Sequence, residues 1–240
     1  MAKTGAIPLK GKISNLIFYE FWGIPCVRTT PSKVRQTKST KANAKLFGVA
    51  VSMSAALREG LVSFLPEDKG RKIMYRLNNA LLQWLKYYEP DAKGLSVDLR
   101  EINELQFNEA CSLSLRLGAR VKADWSNPDR VIIQIPALIP TEAIAAPAHT
   151  GSVIWHIAVT GCTQGNNARL TKRAAADFEL PYTSDKLPTR QIELPFKLNP
   201  GELAIAAISL QYRIAKGSGS SIVSNPKWLP SGIVASAYCR

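Results

Sequence analysis

Histidine is almost absent from this sequence, and cysteine never clusters. The chain has 240 residues, of which two are histidines and four are cysteines. The cysteines stand far apart, at Cys26, Cys111, Cys162 and Cys239. Zinc sites need cysteine or histidine pairs at short spacings, so we expect no metal site and interpret the cysteines as buried thiols.

Motifs of the common enzyme classes are also missing. The sequence has no GxSxG nucleophile elbow, no phosphate-binding glycine loop that opens a helix and no HExxH pair. His149 falls in a loop pattern, and His156 falls in an alternating run beside Trp155, where a half-buried strand residue is expected. These absences predict a non-enzymatic protein without a cofactor, although residues distant in sequence can still assemble a site.

Long hydrophobic runs are missing as well. The first 20 residues lack the apolar stretch of a signal peptide. No run of about 18 apolar residues occurs that would span a membrane. We therefore expect a chain made without a signal peptide and without a membrane span, located in the cytoplasm or in a released or virion-type assembly.

Acidic residues are scarce relative to basic ones. There are 31 Lys and Arg against 18 Asp and Glu, which gives a net charge of +13. Residues 1–45 hold nine basic residues and one acid, so most of the excess lies in this first segment. Such a charge favours polyanionic partners, nucleic acid or an acidic protein surface, and it also suits a plain solvated face.

The first segment combines an aromatic run with a basic tail. Apolar residues run from Ile13 to Trp22, Gly23 marks a turn, and an extended pattern resumes after Pro25. This pattern predicts a β-hairpin whose second strand lies at a sheet edge, where proline is tolerated. Residues 32–45 carry five basic residues and no acid, which indicates an arm or linker.

Residues 46–92 have the period of two amphipathic helices joined by a short link. Their apolar stripes are Leu46, Ala50, Met53, Leu57, Leu61 and Phe64, then Ile73, Leu77, Leu81, Trp84 and Tyr88. Ser39 or Thr40 is the expected cap of the first helix, and Pro66 separates the two. Such stripes typically form a core, so the pattern predicts an αα-hairpin.

From Leu95 onward the hydrophobic period falls to two. Alternating runs lie at residues 113–117, 131–135, 153–159, 192–198, 208–214 and 233–238, with turn signals rich in Asn, Pro and Gly between them. This predicts an antiparallel β-sandwich of immunoglobulin-like architecture, without the Cys…Trp…Cys spacing of true immunoglobulin domains. The whole chain is then α+β in three parts: a β-hairpin and basic arm (residues 1–45), a helical hairpin (46–92) and the sandwich (95–240).

An N-terminal hairpin with an open strand edge can add a strand to the sheet of another subunit. We therefore expect a structural or interaction protein that forms a homo-oligomer or polymer, such as a filament, a tube or a virion-type assembly. The expected partner-binding residues are Phe18, Tyr19, Phe21, Trp22, Arg28, Lys33, Arg35, Lys38 and Lys41. The last strand, residues 233–238, is a second candidate for strand exchange.

The same residues suit a second hypothesis, nucleic-acid binding by the basic N-terminal arm. Lysine and arginine side chains would contact phosphates while the aromatic rings stack on bases. Against this, the aromatic residues alternate with Leu16 and Ile17, which suits a buried strand face. No RRM, KH, helix-turn-helix or zinc-finger signature is present, so sequence-specific recognition is not predicted.

Two short segments resemble an uncharacterised bacterial and phage-associated family. They are Gly11-Lys12-Ile13-Ser14-Asn15-Leu16 and Val27-Arg28-Thr29-Thr30-Pro31, followed by Phe47 in a helical pattern. Members of that family begin with a GK-x-x-N strand and a VR-x-x-P segment, followed by a helical region and a β-rich C-terminal half. The resemblance covers roughly the first quarter of the chain. It implies a non-enzymatic, β-rich protein in a bacterial or phage setting, and it implies no site residues.

Overall fold

A computed structural model of the chain describes residues 2–3, 10–30, 36–64, 70–87, 95–97, 99–103, 105–127, 129–216 and 219–239. The chain divides into two compact units, Met1–Ala42 and Asn43–Arg240, here named the N-terminal unit and the larger unit. The fold class is α+β with antiparallel sheets, as the sequence predicts. The three-part domain division and the sandwich architecture stay predictions.

The N-terminal unit contains a four-stranded antiparallel sheet. Its strands are β1 (Ala2–Lys3), β2 (Gly11–Ile13), β3 (Leu16–Phe21) and β4 (Ile24–Thr29). They lie in the order β1-β4-β3-β2. Two-residue turns join β2 to β3 and β3 to β4, which confirms the predicted hairpin and adds a strand on each side of it.

The edge position expected from Pro25 is wrong. Strand β4 pairs with β3 on one side and, at Cys26 and Val27, with β1 on the other. Pro25 lies opposite Glu20, one pair away from the turn. In a two-residue hairpin the pair next to the turn is hydrogen-bonded and the following pair is not, so the missing N–H of proline costs no bond to β3.

The described residues contain five helices, of which two are long. They are α1 (Lys38–Gly60), α2 (Gly70–Tyr87), α3 (Arg100–Asn103), α4 (Leu113–Arg116) and α5 (Pro140–Ala143). The predicted stripes of the two long helices are largely buried, with Met53 and Leu57 on α1 and Leu77 and Leu81 on α2 fully excluded from solvent. Tyr88 lies outside the described residues.

Helix α1 begins earlier than the hydrophobic stripe indicates. The backbone N–H of Thr40 donates to Thr37 Oγ1 at 3.1 Å, so Thr37 caps the helix in place of the expected Ser39 or Thr40. Lys38 and Lys41 therefore lie in the first turns of α1, not in an extended arm. The alanines of the segment 38–45 favour this helix although its apolar stripe begins only at Leu46.

The larger unit contains nine strands within the described residues. They are β5 (Leu95–Val97), β6 (Lys122–Asp124), β7 (Val131–Ile135), β8 (Thr150–Thr163), β9 (Leu170–Pro181), β10 (Arg190–Leu194), β11 (Glu202–Lys216), β12 (Gly219–Ile222) and β13 (Ser231–Cys239). The central sheet has the order β5-β13-β11-β8-β9, with β12 also paired to β11. A small sheet has the order β10-β7-β6.

Both faces of the central sheet are buried. On β11, Ala206 and Ile208 join a core that includes Ile133 of the small sheet. The alternate residues Ile205 and Ala207 join a second core, formed with α1 and α2. Because both faces are covered there, residues 203–208 form a continuous apolar run, whereas residues 208–213 alternate between buried and half-buried positions, as the sequence predicts.

Several elements differ from the sequence expectations: α3, α5, β6, β9 and β12 were not predicted, and α4 was predicted as a strand. The run 113–117 forms helix α4, in which Leu113 and Leu117, four residues apart, are buried while Leu115 is 81% exposed. Gln106 Oε1 accepts the N–H of Leu113 at 2.7 Å and stabilises this single turn. Strand β9 (Leu170–Pro181) was missed although its second half alternates: Ala176, Phe178 and Leu180 pack against the core, with Asp177 and Glu179 between them.

The last strand has partners on both of its sides within the larger unit. Strand β13 pairs with β11 along most of its length and with β5 at residues 237–239. Ile233 and Tyr238 are 2% and 3% exposed. Exchange of this strand with another copy would have to replace these pairings, and the expectation that it is a second candidate for exchange stays a prediction.

Candidate partner-binding surface

The register of the N-terminal sheet separates its large side chains between two faces. Leu16 pairs with Ile13 of β2, so these two residues lie on one face. Phe21 pairs with Ile24 of β4. Phe21 follows Leu16 by an odd number of residues along β3, so Phe21 and Ile24 lie on the opposite face.

The turn between β3 and β4 has an unusual residue at its tip. Trp22 has φ 54° and Gly23 has φ 76°, so both central residues are left-handed, as a type I′ turn requires. A bulky residue in this conformation costs roughly 1 kcal/mol, which asparagine or glycine would largely avoid. The local backbone therefore does not explain a tryptophan at this position.

The side chains at this tip are exposed and apolar. Trp22 is 88% exposed, Phe21 55% and Ile24 43%. The rings of Phe21 and Trp22 meet edge to face with centroids 6.2 Å apart. We name these three residues the tip patch.

A second apolar patch lies at the other end of β3. Ile13 is 58% exposed and Leu16 is 36% exposed, and the two residues flank the turn between β2 and β3. We name them the base patch. Five residues of strand separate Leu16 from Phe21, or about 17 Å at 3.3 Å per residue. The two patches therefore face opposite ways at opposite ends of one strand.

The middle of the sheet is less exposed than its ends. Phe18 and Tyr19 are half-buried, whereas Arg28 is exposed and its guanidinium carbon lies 5.5 Å from the centre of the Tyr19 ring. Lys10 Nζ lies 2.7 Å from a carboxylate oxygen of Glu20. Of the four predicted aromatic anchors, only Phe21 and Trp22 are strongly exposed.

The predicted basic residues are divided between the sheet and helix α1. Arg28 lies on β4. Lys38 and Lys41 are exposed on the first turns of α1, and Lys45 continues the same helix face at a spacing of four residues. Lys33 and Arg35 lie outside the described residues.

Sequence reasoning missed three members of the apolar patches: Ile13, Leu16 and Ile24. It assigned the apolar run to a buried strand face, the usual place for such residues. The two-residue turns could have identified these residues, because each of the three side chains lies next to such a turn at the end of a short strand. Apolar residues next to both turns of a meander are more exposed than those in its centre.

Two ionisable groups of the larger unit have defined surroundings, one by burial and one by a close partner. Burial raises the pKa of the Cys162 thiol to about 12, with a smaller contribution from the charge of Glu202, so this thiol stays protonated at neutral pH. His156 Nδ1 lies 2.9 Å from a carboxylate oxygen of Asp177 on the neighbouring strand β9. No group of three or more His, Cys, Asp or Glu side chains among the described residues is placed to hold a metal ion.

Comparison with known proteins gives no family for this chain. No protein-family model matches it, and no curated protein matches it. The resemblance of the first segments to an uncharacterised family therefore stays a prediction. In the part of the chain that the structure describes, no helix is both long and apolar enough to cross a membrane.

Proposed function

We propose that this chain is a non-enzymatic structural protein that assembles with further copies of itself through its N-terminal unit. The observation that carries the proposal is the pair of exposed apolar patches at opposite ends of β3. Apolar side chains that are exposed and clustered mark interaction surfaces more often than isolated ones do. The left-handed Trp22 supports the proposal, because a contact function explains a residue that the turn itself disfavours.

The placement of the patches favours an open assembly. The tip patch and the base patch differ in residues and face opposite sides of the sheet, so docking the tip of one copy on the base of the next is a heterologous contact. Such contacts form rings when the rotation closes and helical filaments when it does not. A filament or tube is therefore the assembly that this arrangement supports best.

The larger unit would supply the rigid body of each subunit. We propose that its two sheets form a sandwich of immunoglobulin-like architecture, with the helices as an added layer. The shared core of the two sheets supports this, since Ile133 of β7, Leu194 of β10 and Ile157 of β8 belong to one hydrophobic cluster. Sheets that face each other across such a core are the defining feature of sandwiches.

Substituting the tip tests the proposal. The change Trp22→Asn creates an Asn-Gly turn, the preferred type I′ sequence, so the sheet should persist while the tip patch loses its largest ring. The matched control is Leu115→Asn, which removes an apolar side chain that is 81% exposed in the larger unit. Mass photometry and negative-stain imaging of the full-length proteins would report assembly size at low and high salt.

We expect wild type and Leu115→Asn to form large regular assemblies at both salt concentrations, and Trp22→Asn to remain small. Apolar contacts are little weakened by salt, whereas phosphate contacts are strongly weakened. Monomers for all three proteins at every concentration would refute the proposal. Assemblies of equal size for all three would show that the tip patch is not the contact.

Nucleic-acid binding is the second candidate function, and one observation favours it. Lys38, Lys41 and Lys45 follow one face of α1 near its N-terminus, and the first turn holds no acid. Positive charge in the first turn of a helix is unfavourable by about 0.3–1 kcal/mol per residue, which applies to Lys38 and Lys41 and not to Lys45. A polyanionic partner would offset this cost.

Replacing these three lysines with glutamine tests the second function. Fluorescence anisotropy with a labelled single-stranded oligonucleotide would measure affinity against salt concentration. If all three lysines contact phosphates, the slope of log affinity against log salt should become less negative by about 2. An unchanged slope would exclude these lysines as phosphate contacts.

A further inference from the structure

A cleft in the larger unit is lined by segments that are far apart in sequence. A cavity of about 460 Å³ lies against Gln106, Leu113 and Leu117 of the α4 region. A second cavity of about 580 Å³ lies against Arg100 and Lys122. Asn103, Arg120, Val121 and Val234 line both, so the two cavities adjoin and form one cleft. Its size falls within the range of small-molecule sites.

A β-bulge shapes the floor of this cleft. Ala206 of β11 pairs with Ala235 of β13, but Ala207 pairs with Ile233, so Val234 is an extra residue in β13. A bulge of this kind redirects a side chain and is over-represented beside functional sites. Val234 is half-buried and lines both cavities. The floor beside it is apolar, since Leu117 and Val121 are 8% and 7% exposed.

The polar side of the cleft is cationic. Arg100, Arg120 and Lys122 line it, and none of their side chains makes a hydrogen bond or ion pair with a described residue. Other cations of the larger unit do have acidic partners, as in the pair of Arg130 and Glu193 at 2.6 Å. No described acidic residue lines either cavity. Three cations without a partner among the described residues thus line one concave surface with an apolar floor.

We propose that this cleft binds a small molecule with an apolar body and an anionic group, either a carboxylate or a phosphate. Arginine is well suited to both anions, because its planar guanidinium donates two parallel hydrogen bonds to either group. The apolar body would lie against Leu117, Val121 and Val234. The proposal involves only the larger unit and is independent of assembly through the N-terminal unit.

Anilinonaphthalene sulfonate is a suitable first probe, because it joins an apolar ring system to an anion and fluoresces more strongly when bound. It would be titrated into full-length wild type and into Arg120→Gln. The matched control is Arg169→Gln, which removes an exposed arginine outside the cleft. Phenylnaphthylamine, which lacks the sulfonate, tests whether the anion matters. Thermal unfolding of each variant verifies that it is folded.

We expect saturable binding of the sulfonate dye, with a dissociation constant about fivefold higher in Arg120→Gln and unchanged in Arg169→Gln. The neutral dye should bind more weakly than the sulfonate and should not respond to Arg120→Gln. Displacement of the sulfonate dye by octyl phosphate or by octanoate then identifies the favoured anion. Equal binding of the sulfonate dye to wild type and Arg120→Gln, or equal affinity for the two dyes, would overturn the proposal.

Discussion

The two units of this chain place their large apolar side chains in opposite ways. In the larger unit, Trp155 and Tyr212 are fully buried and belong to a hydrophobic cluster that joins two sheets. In the N-terminal unit, Cys26 is the only buried residue among residues 10–30, while Trp22 is 88% exposed. The larger unit thus contains the core that makes it stable, whereas the N-terminal unit presents two of its aromatic residues, Phe21 and Trp22, to solvent.

This difference separates a stabilising role from a binding role for the same residue type. A buried tryptophan lowers the free energy of the folded state through the contacts around it. An exposed tryptophan at a turn contributes little to folding, and under the proposed function it is covered by the surface of a second copy. The comparison therefore predicts that substitutions in the two units affect different measurements.

The largest contrast is expected between two tryptophan substitutions. Trp155→Ala should lower the free energy of unfolding by about 3–5 kcal/mol, because it leaves a cavity beside Phe178, whose ring stacks on Trp155 at 5.7 Å. Trp22→Asn should leave that free energy unchanged or slightly raised. Urea unfolding followed by circular dichroism measures both. A loss of similar size in the two variants would mean that Trp22 is a core residue, and the comparison would fail.

A smaller contrast is expected between two glycines of helix α1. A Cβ at Gly60 would lie 2.0 Å from Thr160 Oγ1, so Gly60→Ala should cost about 1–3 kcal/mol through overpacking. A Cβ at Gly48 would meet only Asn166 Oδ1, at 3.5 Å. Gly48→Ala should therefore stabilise the protein by about 0.5–1 kcal/mol. Thermal unfolding shows whether each substitution lowers or raises the unfolding temperature. A stabilising Gly60→Ala would show that the helix does not pack closely on β8.

The smallest effect is expected from an exposed ion pair on the central sheet. Hydrogen bonds from Arg213 and Ser152 hold the pKa of Glu179 below its ordinary value of 4.5. A carboxylate with a lowered pKa stabilises the folded state above the unfolded pKa, and this contribution is lost as the pH falls through the folded pKa. Glu179→Gln should therefore lose less stability than wild type on acidification from pH 5 to pH 3. Parallel acid profiles for the two proteins would contradict this.

The two long helices and several of the strands could be predicted from the sequence because each has its own periodicity. The stripes containing Met53 and Leu77 indicate helices, and the runs around Ile133 and Ile157 indicate strands. Helix α4 was missed because Leu113, Leu115 and Leu117 fit a strand period equally well. The helical turn is closed by a bond from the Leu117 N–H to the Leu113 carbonyl, and Gln106 accepts the N–H of Leu113, a contact that the local pattern does not show.

The candidate sites were only partly predictable for a related reason. Phe21 and Trp22 were found because they are adjacent aromatics beside a glycine. The base patch depends on strand register, which pairs Ile13 with Leu16. The cleft depends on tertiary contacts, since Arg100 and Val234 lie far apart in the chain. Features formed by pairing and packing are not visible in a single stretch of sequence.

The central claim is that the tip patch of one copy binds the base patch of the next. It is tested most directly by mixing two full-length variants that are each defective in one patch. One variant carries Trp22→Asn, and the other carries Ile13→Thr and Leu16→Thr. Each variant alone has one intact patch and should remain monomeric.

Sedimentation velocity of the equimolar mixture gives the decisive result. The account predicts heterodimers, because the intact base of the first variant meets the intact tip of the second, and growth stops there. A mixture that sediments as monomers, at concentrations where wild type assembles, would contradict the account.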